Sequence, residues 1–518
     1  MENKSDCIEC TIPFDTADSC RRKIEHIRAA QKQRKMVSIE YRLEHLKKLL
    51  SLWDKYENEI HKSNYLDLGQ SEFISKFTTF YQVRGEIVYN IDNLREWVKP
   101  KKCDTPLLYA LADSYVKPEP FGVCLIFSAW NCNFLTLIIP IAQAIAAGNL
   151  VVAKPAATAP ETMKVCMKIL NEMSNDVVEC CAGAPEVHSE LLRNRFDLLI
   201  FTGSAKIGKI ISQAAAQFLT PTILELGGQN PVIVEKTANL KTTAHNILFG
   251  RHTINGQACI APEYIMCERS IYNNLVEELK KTYTQFYGEA PEKSEALGKM
   301  VNKKYTERII NLIKNPGEGA EILYGEPDKC NLDNRFISPI LFGFPSLELM
   351  DKSELAKEEI FGPVLYMAPY DRLEETIDYM ARREKPLASY LFTSTQSVKD
   401  YVRDNTTAGC FLINDTVIHF SSRYVPFGGV GHSGMGSYHG KWGFINMSHW
   451  KPVMDQAEFI LSLRYPPYNL NQKKLINFAL KNLNYGKLQF ISWIKYLFIG
   501  ILIFIVIMKF GKKMLNKN

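Results

Sequence analysis

The sequence lacks several features that would place it in a large class of proteins. No run of lysine and arginine dominates its charge, and 62 basic and 56 acidic residues leave a net charge of +6 over 518 residues. This small excess gives little support to a nucleic-acid-binding role, and we predict no nucleic-acid partner. The first residues, Met1 to Lys4, lack the apolar core of a signal peptide, so we expect no secretion. We find no internal repeat and no low-complexity segment.

Paired cysteine motifs are also scarce. The chain has 13 cysteines, but its one Cys-x-x-Cys, at Cys7 and Cys10, has no second pair to complete a zinc site. The cysteines are odd in number and irregularly spaced. We therefore expect reduced thiols in a protein that faces the cytosol, and no bound metal.

The chain is long and apolar enough for more than one hydrophobic core. With 518 residues, 46% of them hydrophobic, it should divide into two or three domains. In the first hundred residues, apolar side chains recur at three- and four-residue intervals, for example over 21–30 and 41–56. This spacing predicts helices.

Between residues 122 and 235, apolar runs with strand character alternate with helical stretches. The predicted strands are 122–129, 150–153, 177–181, 197–201 and 222–226, and the predicted helices are 135–147, 161–173, 186–193 and 206–218. Strands that are apolar on both faces and separated by helices indicate a parallel sheet covered on each side. We therefore predict an α/β fold with a doubly wound, Rossmann-type sheet, which binds nucleotides at the carboxyl ends of its strands. A second alternating region, from about 230 to 413, predicts another large α/β domain.

The C-terminal part of the chain contains a long apolar run. Residues 491–508 are almost all apolar, with Ser492 and Lys495 as the main exceptions, and lysines flank them. A helix of about 18 residues would span about 27 Å, close to the thickness of the hydrocarbon layer of a bilayer. The run predicts a transmembrane helix over 487–510 that anchors the protein by its C-terminus. A buried helix, or one lying in the membrane plane, is the alternative.

Cys259 is a candidate nucleophile. It ends the run Asn-Gly-Gln-Ala-Cys at 255–259, where a glycine frees the backbone and a small alanine leaves the sulfur open to approach. A thiolate is an effective nucleophile on which a thiohemiacetal or thioester can form. A single cysteine is, however, more often a small buried apolar residue.

Two polar residues stand at the ends of predicted strands. Glu225 precedes two glycines, and a partly desolvated acid there could act as a general base, or could be a solvated or salt-bridged glutamate. Asn131 follows the first strand of the sheet, where its amide could donate a hydrogen bond to an oxyanion. Asparagine is also common in such turns for other reasons.

A further run could face phosphate groups. Phe-Thr-Gly-Ser at 201–204, with Gly208, follows a strand and opens a helix, where backbone N–H groups bind anions. The run is not the Gly-x-Gly-x-x-Gly fingerprint, so it carries little weight alone. The same holds for Glu-Ile-Phe-Gly-Pro at 359–363 and Pro-Phe-Gly-Gly at 426–429, which resemble ordinary turns.

The order of these motifs resembles the aldehyde dehydrogenase superfamily, and most closely its class 3 branch, which includes membrane-bound fatty aldehyde dehydrogenases. The similarity extends from about residue 21 to 450. The motifs that carry it are Leu-Glu-Leu-Gly-Gly at 224–228, Gly-Gln-x-Cys at 256–259, Glu-Glu-Ile-Phe-Gly-Pro-Val at 358–364, Pro-Phe-Gly-Gly-Val-Gly-His-Ser-Gly-Met-Gly-Ser-Tyr-His-Gly at 426–440 and Arg-Tyr-Pro-Pro at 464–467. The last two look like class 3 and its fatty aldehyde members.

The resemblance implies a role for each candidate residue. Cys259 would attack the aldehyde carbon, Asn131 and the backbone N–H of Cys259 would hold the oxyanion, and Glu225 would activate the water that hydrolyses the thioester. The resemblance also implies NAD or NADP as cofactor, bound by Lys154 at the adenosine ribose, by Gly203 and Ser204 at the turn near the cofactor, and by Glu359 and Phe361 at the nicotinamide ribose and ring.

The domain organisation follows from the same resemblance. It implies a nucleotide-binding domain over 1–226, interrupted by a bridging segment over 97–117, and a catalytic domain over 227–413. An oligomerisation segment over 414–450 would form a homodimer. We expect a gating segment over 451–486, which includes an amphipathic helix over 474–484, before the anchor.

A long-chain or otherwise hydrophobic aldehyde is the expected substrate, because membrane attachment brings the site to where such molecules partition. An apocarotenal or isoprenoid aldehyde is one alternative, and a catalytically inactive, membrane-tethered member of the family is another. The catalytic part would face the cytosol, with the endoplasmic reticulum as the favoured membrane and the mitochondrial outer membrane or the peroxisome as alternatives.

Four positions depart from the family pattern. Asn133 stands where Trp-Asn-Tyr-Pro has its proline, and this loss is expected to loosen the loop that aims Asn131. Ala157 replaces the glutamate of Lys-Pro-Ser-Glu, which would bond the ribose hydroxyls and repel a 2′-phosphate, so NADP should become more acceptable. Gln229 replaces a lysine, and Ile254 replaces an asparagine.

Overall fold

The computed structural model describes residues 7–105, 112–183, 185–456, 458 and 465–481. The predicted anchor over 487–510 lies outside the described residues, as do the last residues of the predicted gating segment. Among the described residues, one helical stretch, Trp130–Ala147, is long and apolar enough to cross a membrane, and 89% of it is buried inside the protein. Such burial is typical of a core helix in a folded domain.

The described chain alternates between helices and strands. The helices are α1 (Ala17–Lys32), α2 (Ile39–Lys55), α3 (Glu57–Leu68), α4 (Glu72–Ser75), α5 (Tyr81–Trp97), α6 (Asn133–Ala147), α7 (Pro160–Asn171), α8 (Pro185–Leu192), α9 (Ala205–Ala216), α10 (Leu240–His252), α11 (Tyr272–Tyr287), α12 (Lys303–Lys314), α13 (Leu347–Lys352), α14 (Leu373–Ala381), α15 (Gln396–Asn405), α16 (Gly440–Asn446) and α17 (Leu470–Lys481). The strands are β1 (Lys101–Lys102), β2 (Ala112–Pro120), β3 (Val123–Phe127), β4 (Leu150–Lys154), β5 (Val178–Cys180), β6 (Leu198–Gly203), β7 (Thr222–Leu226), β8 (Asn230–Val234), β9 (Pro262–Glu268), β10 (Glu321–Tyr324), β11 (Ile340–Gly343), β12 (Val364–Tyr370), β13 (Ala388–Phe392), β14 (Cys410–Ile413), β15 (Gly434–Met435) and β16 (Ser448–Gln456).

The first large sheet confirms the predicted Rossmann-type arrangement. Its strand order is β15-β7-β6-β3-β4-β5, and all neighbouring pairs are parallel except β15 with β7. Every residue of β3 and β4 is buried, because helices such as α6 and α1 pack against them. Buried strands with parallel neighbours expose their carboxyl ends along one edge, and Lys154 and Gly203 end two of these strands.

The second large sheet has the order β10-β11-β12-β9-β8-β13-β14 and is parallel except for β10. Its core combines aliphatic residues with large aromatic rings, among them Tyr264 and Tyr366, whose centroids lie 5.7 Å apart. Tyr264, Tyr366 and Tyr379 are nearly inaccessible to solvent. The predicted second α/β region therefore forms its own sheet with its own hydrophobic core.

The internal contacts of the chain separate it into two compact units. One unit comprises Met1–Trp97 and Glu119–His449, and it contains both large sheets. The other comprises Val98–Pro118 and Trp450–Asn518. In this second unit β1 and β2 pair antiparallel, and the Lys101 ammonium lies 4.3 Å from the centroid of the Trp450 ring. The functional division into domains stays a prediction.

The helix predicted over 474–484 overlaps α17, which belongs to the second unit. The side chains of Asn469 and Gln472 exchange hydrogen bonds with each other's backbone N–H groups, at 2.7 and 2.9 Å. This reciprocal pair satisfies donors that the first turn of a helix leaves open.

Candidate active site

A tight loop between α10 and β9 presents Cys259. Three successive residues before it have left-handed backbone, with φ of 55°, 55° and 73° at Ile254, Asn255 and Gly256. A Cβ on Gly256 would lie 2.2 Å from the carbonyl oxygen of Gly362, so only glycine fits there. Two non-glycine residues in this conformation store strain that the surrounding fold must overcome, and such strain concentrates at functional sites.

Buried amide side chains hold this loop in place. Gln257 is inaccessible to solvent, and its side-chain amide donates to the carbonyl oxygens of Ile254 and Lys299, at 3.2 and 3.0 Å. Asn230 donates to the carbonyl oxygen of Cys259 at 2.8 Å. The main chain is therefore fixed on both sides of the sulfur, which sets the direction of the thiol. Ile254, at the position of the family's asparagine, packs into a small apolar cluster instead of bonding to the loop.

The surroundings of Cys259 disfavour its thiolate. The residue is half-buried, and burial raises the pKa of its thiol well above the ordinary value. The neighbouring side chains of Cys132, Glu359 and Glu225 raise this pKa further. The thiol therefore holds its proton at neutral pH until a positive charge or a base comes close to it.

This raised pKa predicts the pH dependence of alkylation. Between about pH 7 and pH 9 we expect the rate of alkylation of Cys259 by iodoacetamide to rise about tenfold per pH unit without levelling off, because the thiolate fraction grows by that factor below the pKa. Peptide mapping over a pH series measures the rate, with the exposed Cys103 as a reference thiol in the same digest. A rate that levels off below about pH 9 would contradict the raised pKa.

Glu225 belongs to the six-stranded sheet, and its side chain lies near the Cys259 thiol. It is the penultimate residue of β7 and 2% exposed, and among the described residues neither carboxylate oxygen has a hydrogen-bond partner. Burial raises the pKa of its carboxyl group well above the ordinary value. Strand β15 covers it, with Gly434 opposite Glu225 in the antiparallel register. A buried carboxyl group with free oxygens can accept a proton from water once it has lost its own.

Asn131 lies against the loop that carries Cys259. It belongs to the short 3-10 turn Trp130–Cys132 after β3 and is buried. Its side-chain amide donates to the carbonyl oxygen of Gln257 at 2.8 Å. An asparagine amide has two hydrogens, so a second one is left to donate to an oxygen atom bound beside Cys259.

The expected loosening of this turn by Asn133 is not what the structure shows. Asn133 is 2% exposed and starts α6. Its side-chain oxygen accepts from the Ser128 hydroxyl at 2.6 Å and from the Ala156 N–H at 3.2 Å. Its side-chain nitrogen donates to the carbonyl oxygen of Ala156 and to the Thr162 hydroxyl. These bonds tie the turn to the end of β4, so they replace the rigidity that a proline would give.

Glu359 and Phe361 occupy the segment before β12. A Cβ on Gly227 would lie 2.0 Å from Glu359 Oε2, and the backbone N–H of Gly228 donates to the Glu359 carboxylate. Burial raises the pKa of Glu359 well above the ordinary value, and Glu263 adds to the rise. Phe361 has a left-handed φ of 55°, and its ring packs edge-on against Trp130 at 5.3 Å.

Gln229, at the position of the family's lysine, also supports this segment. Its amide nitrogen donates to the carbonyl oxygens of Leu355 and Glu358, at 3.3 and 3.1 Å. Its carbonyl oxygen accepts from Arg383. The substitution therefore keeps a link between the end of β7 and the Glu359 segment by hydrogen bonds instead of a charge.

The remaining predicted residues lie at the carboxyl edge of the six-stranded sheet. Lys154 is 1% exposed, its ammonium donates to the carbonyl oxygen of Pro155 at 2.8 Å, and burial lowers its pKa to about 8. Ser204 directly follows Gly203 and accepts from the N–H of Ile207 as the N-cap of α9. Position 157 is exposed and is occupied by alanine, so it provides no carboxylate.

The structure thus brings Cys259, Glu225, Asn131 and Glu359 together and places Lys154 with Gly203 and Ser204 along the sheet edge. Among the described residues, no group of three or more histidine, cysteine, aspartate or glutamate side chains is placed to hold a metal ion.

Tyr438 belongs to the same neighbourhood and was not predicted. It is 2% exposed, and its hydroxyl group lies close to Glu225, Cys259 and the Thr202 hydroxyl. Its backbone pairs with Phe427 in both directions, at 2.9 and 3.0 Å. In the sequence only its position in the run 426–440, shortly after the glycines, could have indicated it.

Comparisons with known proteins agree with this geometry. The sequence pattern of the Aldehyde dehydrogenase family matches residues 4–453. Aldehyde dehydrogenase family 3 member A2 of Macaca fascicularis is 37% identical over 451 residues, which cover 86% of this chain and 91% of that protein. The 4,4'-diaponeurosporen-aldehyde dehydrogenase of Staphylococcus aureus is 37% identical over 432 residues, 83% of this chain and 92% of that protein. The solved substrate-bound state of Staphylococcus aureus AldH superposes with a TM-score of 0.84 at 34% identity, covering 88% of this chain and 99% of that one.

Proposed function

Because the chain belongs to the aldehyde dehydrogenase family and is an oxidoreductase that uses NAD or NADP, we propose that it oxidises long-chain or other hydrophobic aldehydes to carboxylic acids. The observation that carries this proposal is the buried carboxyl group of Glu225, which lies beside the Cys259 thiol and has no hydrogen-bond partner in the described part of the chain. A thiol alone can capture an aldehyde, but release of an acid also requires a base that activates water.

The residues present fit a nicotinamide cofactor. The bare backbone at Gly227 leaves room beside Glu359, since a Cβ there would collide with its carboxylate. Lys154 and Ser204 lie at strand ends where doubly wound sheets bind nucleotides, and the N-terminal end of α9 suits a phosphate. When bound, the cofactor accepts a hydride from the aldehyde carbon.

The protein's own groups would act in the following order. The Cys259 thiol would first lose its proton to solvent. Its thiolate would then add to the aldehyde carbon, and the carbonyl oxygen would become an oxyanion that accepts hydrogen bonds from the Asn131 amide and the backbone N–H of Cys259. After oxidation of that carbon a thioester remains on Cys259. The Glu225 carboxylate then removes a proton from water, the water oxygen attacks the thioester carbon, and the C–S bond breaks to release the acid and the Cys259 thiolate.

Exposed aromatic rings near α10 support a hydrophobic substrate. Phe77 and Phe249 are 50% and 40% exposed, and their ring centroids lie 6.4 Å apart. Two residues close to Phe77 along the chain, Phe73 and Tyr81, are more exposed than either of these rings. Helix α10 leads directly into the loop of Cys259, so an alkyl chain that reaches the thiol could pack against this apolar surface.

A substrate series tests the proposal. We expect kcat/KM for hexadecanal to exceed that for acetaldehyde by at least about tenfold, because each buried methylene group contributes to binding. Formation of reduced cofactor is measured with NAD and with NADP, and the carboxylic acid is identified as the product. Preference for a short aldehyde would contradict a hydrophobic substrate.

An isoprenoid aldehyde is the second candidate substrate. The relative named for 4,4'-diaponeurosporen-aldehyde, 37% identical to this chain, favours it. Farnesal in the same series decides between the two, since a kcat/KM above that of hexadecanal would select the isoprenoid class. A folded protein that turns over none of these aldehydes would be a catalytically inactive member of the family.

The cofactor choice depends on position 157. Because Ala157 stands where related enzymes have a glutamate that the resemblance assigns to the ribose, we expect NADP to be accepted with a kcat/KM within about tenfold of that for NAD. Ala157→Glu should raise KM for NADP by about tenfold or more through repulsion of the 2′-phosphate, and Ala157→Gln controls for size without charge. Equal effects of the two variants, or a strong preference of the natural protein for NAD, would refute this expectation.

The remaining parts of the proposal concern assembly and location. We propose that residues 1–226 form the nucleotide-binding domain and residues 227–413 the catalytic domain. Residues 414–450 would form the contact of a homodimer. The lysine-flanked apolar run in the sequence supports a membrane anchor over 487–510, with the catalytic part in the cytosol and the endoplasmic reticulum as the favoured membrane. Deletion of residues 487–518 should release the protein from carbonate-washed membranes.

A further inference from the structure

Two buried thiols lie in contact with each other where α1 packs against β5. Cys20 belongs to α1, and Cys181 directly follows β5. Both residues are 0% exposed, and each thiol group shifts the pKa of the other, so the two side chains are neighbours. The proposed reaction uses neither of them.

Several hydrogen bonds hold the two chain segments together. Asp15 and Ala182 exchange two of them, N–H to carbonyl at 2.7 Å and N–H to carboxylate at 2.9 Å. Lys23 donates to the carbonyl oxygen of Cys180 at 2.5 Å and pairs with Asp15 at 2.8 Å. Cys20 lies between Asp15 and Lys23 along the chain, so these contacts hold its backbone close to that of Cys181.

The surroundings make the two thiols unequal. The neighbouring Cys181 thiol lowers the pKa of Cys20 below the ordinary value, and the ammonium of Lys23 also lowers it, whereas burial and the carboxylate of Asp15 raise it. The same contact raises the pKa of Cys181. The Cys20 thiol therefore ionises more readily than the Cys181 thiol, and the thiolate is the form of cysteine that a peroxide oxidises.

We propose that Cys20 and Cys181 form a reversible disulfide, a redox modification site separate from Cys259, with a small hydroperoxide such as hydrogen peroxide as the oxidant. The Cys20 thiolate attacks one oxygen of hydrogen peroxide, the O–O bond breaks, and hydroxide leaves and takes up the thiol proton as water. Cys20 is then a sulfenic acid. The sulfur of Cys181 displaces the hydroxyl group from Cys20, the S–S bond forms, and a second water leaves. Two thiols have lost two electrons, and the peroxide has become two water molecules.

The disulfide would fasten α1 to the strand end beside Lys154. The N–H of Cys181 donates to the carbonyl oxygen of Ala153 at 2.8 Å, and the ammonium of Lys154 lies close to Cys180, Cys181 and Cys20. The bridge would close a loop of about 160 residues, a length for which cross-linking strongly restricts the unfolded chain. Oxidation should therefore raise the thermal stability of the protein.

Peptide mapping of the full-length protein tests the disulfide. After treatment with hydrogen peroxide, a non-reducing digest should contain a linked Cys20–Cys181 peptide that disappears on treatment with dithiothreitol. Its absence, or linkage of either cysteine to a different one, would overturn the proposal. This measurement needs no variant, so it stands even where a substitution at these buried positions prevents folding.

Thermal unfolding provides the second readout, in the Cys259→Ala background so that oxidation of Cys259 cannot contribute. Peroxide should raise Tm by about 3 °C or more, and dithiothreitol should reverse the shift. Cys181→Ser should abolish it, whereas Cys180→Ser, the adjacent buried cysteine, should leave it intact. A shift that persists in Cys181→Ser would also overturn the proposal.

Discussion

Replacement of Cys259 by alanine is expected to lower kcat for aldehyde oxidation by about 10⁴-fold or more. Without the sulfur no covalent adduct can form, and a free aldehyde has no hydride to release until a nucleophile has added to its carbon. The amides that would hold the oxyanion remain in place, but they stabilise a charge that no longer develops. Initial rates of cofactor reduction with hexadecanal measure the loss.

The control for this variant is Cys410→Ala, which removes another partly exposed thiol from β14 of the second large sheet. It should retain activity within about twofold, since a surface substitution changes stability little. Cofactor affinity of Cys259→Ala, followed by fluorescence, should stay close to that of the natural protein. Turnover that survives in Cys259→Ala would exclude this thiol as the nucleophile.

Replacement of Glu225 by glutamine is expected to separate the two halves of the reaction. The first half needs only the thiol, so one equivalent of reduced cofactor should form per subunit in a rapid burst. Steady turnover should then fall by about 10² to 10⁴-fold, because glutamine cannot take a proton from water. Mass spectrometry of the quenched protein should show the acyl group on Cys259. A variant that loses burst and turnover equally would assign Glu225 to an earlier step.

The same variant should be more stable than the natural protein, increasingly so at higher pH. The folded state raises the pKa of Glu225, so in folded protein this group keeps a proton that the unfolded chain loses above its ordinary pKa near 4.5. Stability of the natural protein therefore declines as pH rises from that value towards the folded pKa, by up to about 1.4 kcal/mol per pH unit. Glutamine does not titrate. The Tm difference between the two proteins should grow from about pH 5 to pH 8.

The Rossmann-type sheet could be predicted because its strands are apolar on both faces and helices separate them. The same reasoning placed Glu225 and Asn131 at strand ends. In a parallel sheet the carboxyl ends of the strands lie along one edge, so residues at these ends are close to one another. Cys259 drew attention through its small neighbours, which are visible in the sequence.

Other features depend on contacts that no local pattern reveals. Ile254 has left-handed backbone although its branched side chain disfavours it, and only the packing around the loop enforces it. The rigidity of the turn at Asn133 could not be foreseen, because the four hydrogen bonds of its side chain go to three residues, Ser128, Ala156 and Thr162, that no local pattern links to it. Tyr438 approaches Glu225 through the pairing of β15 with β7, two strands far apart in sequence. Hydrogen-bond partners of this kind are decided by tertiary structure alone.

The contact between Gly256 and Gly362 limits how the sequence can change over time. The loop that carries Cys259 and the segment after Phe361 are in direct backbone contact. No side chain therefore fits at position 256 while position 362 stays where it is. A mutation in one segment must await a compensating change in the other. The two segments therefore evolve as a single unit, although more than a hundred positions of the chain separate them. Redesign for another aldehyde is better directed at the aromatic surface beside α10, where residues can be exchanged one at a time.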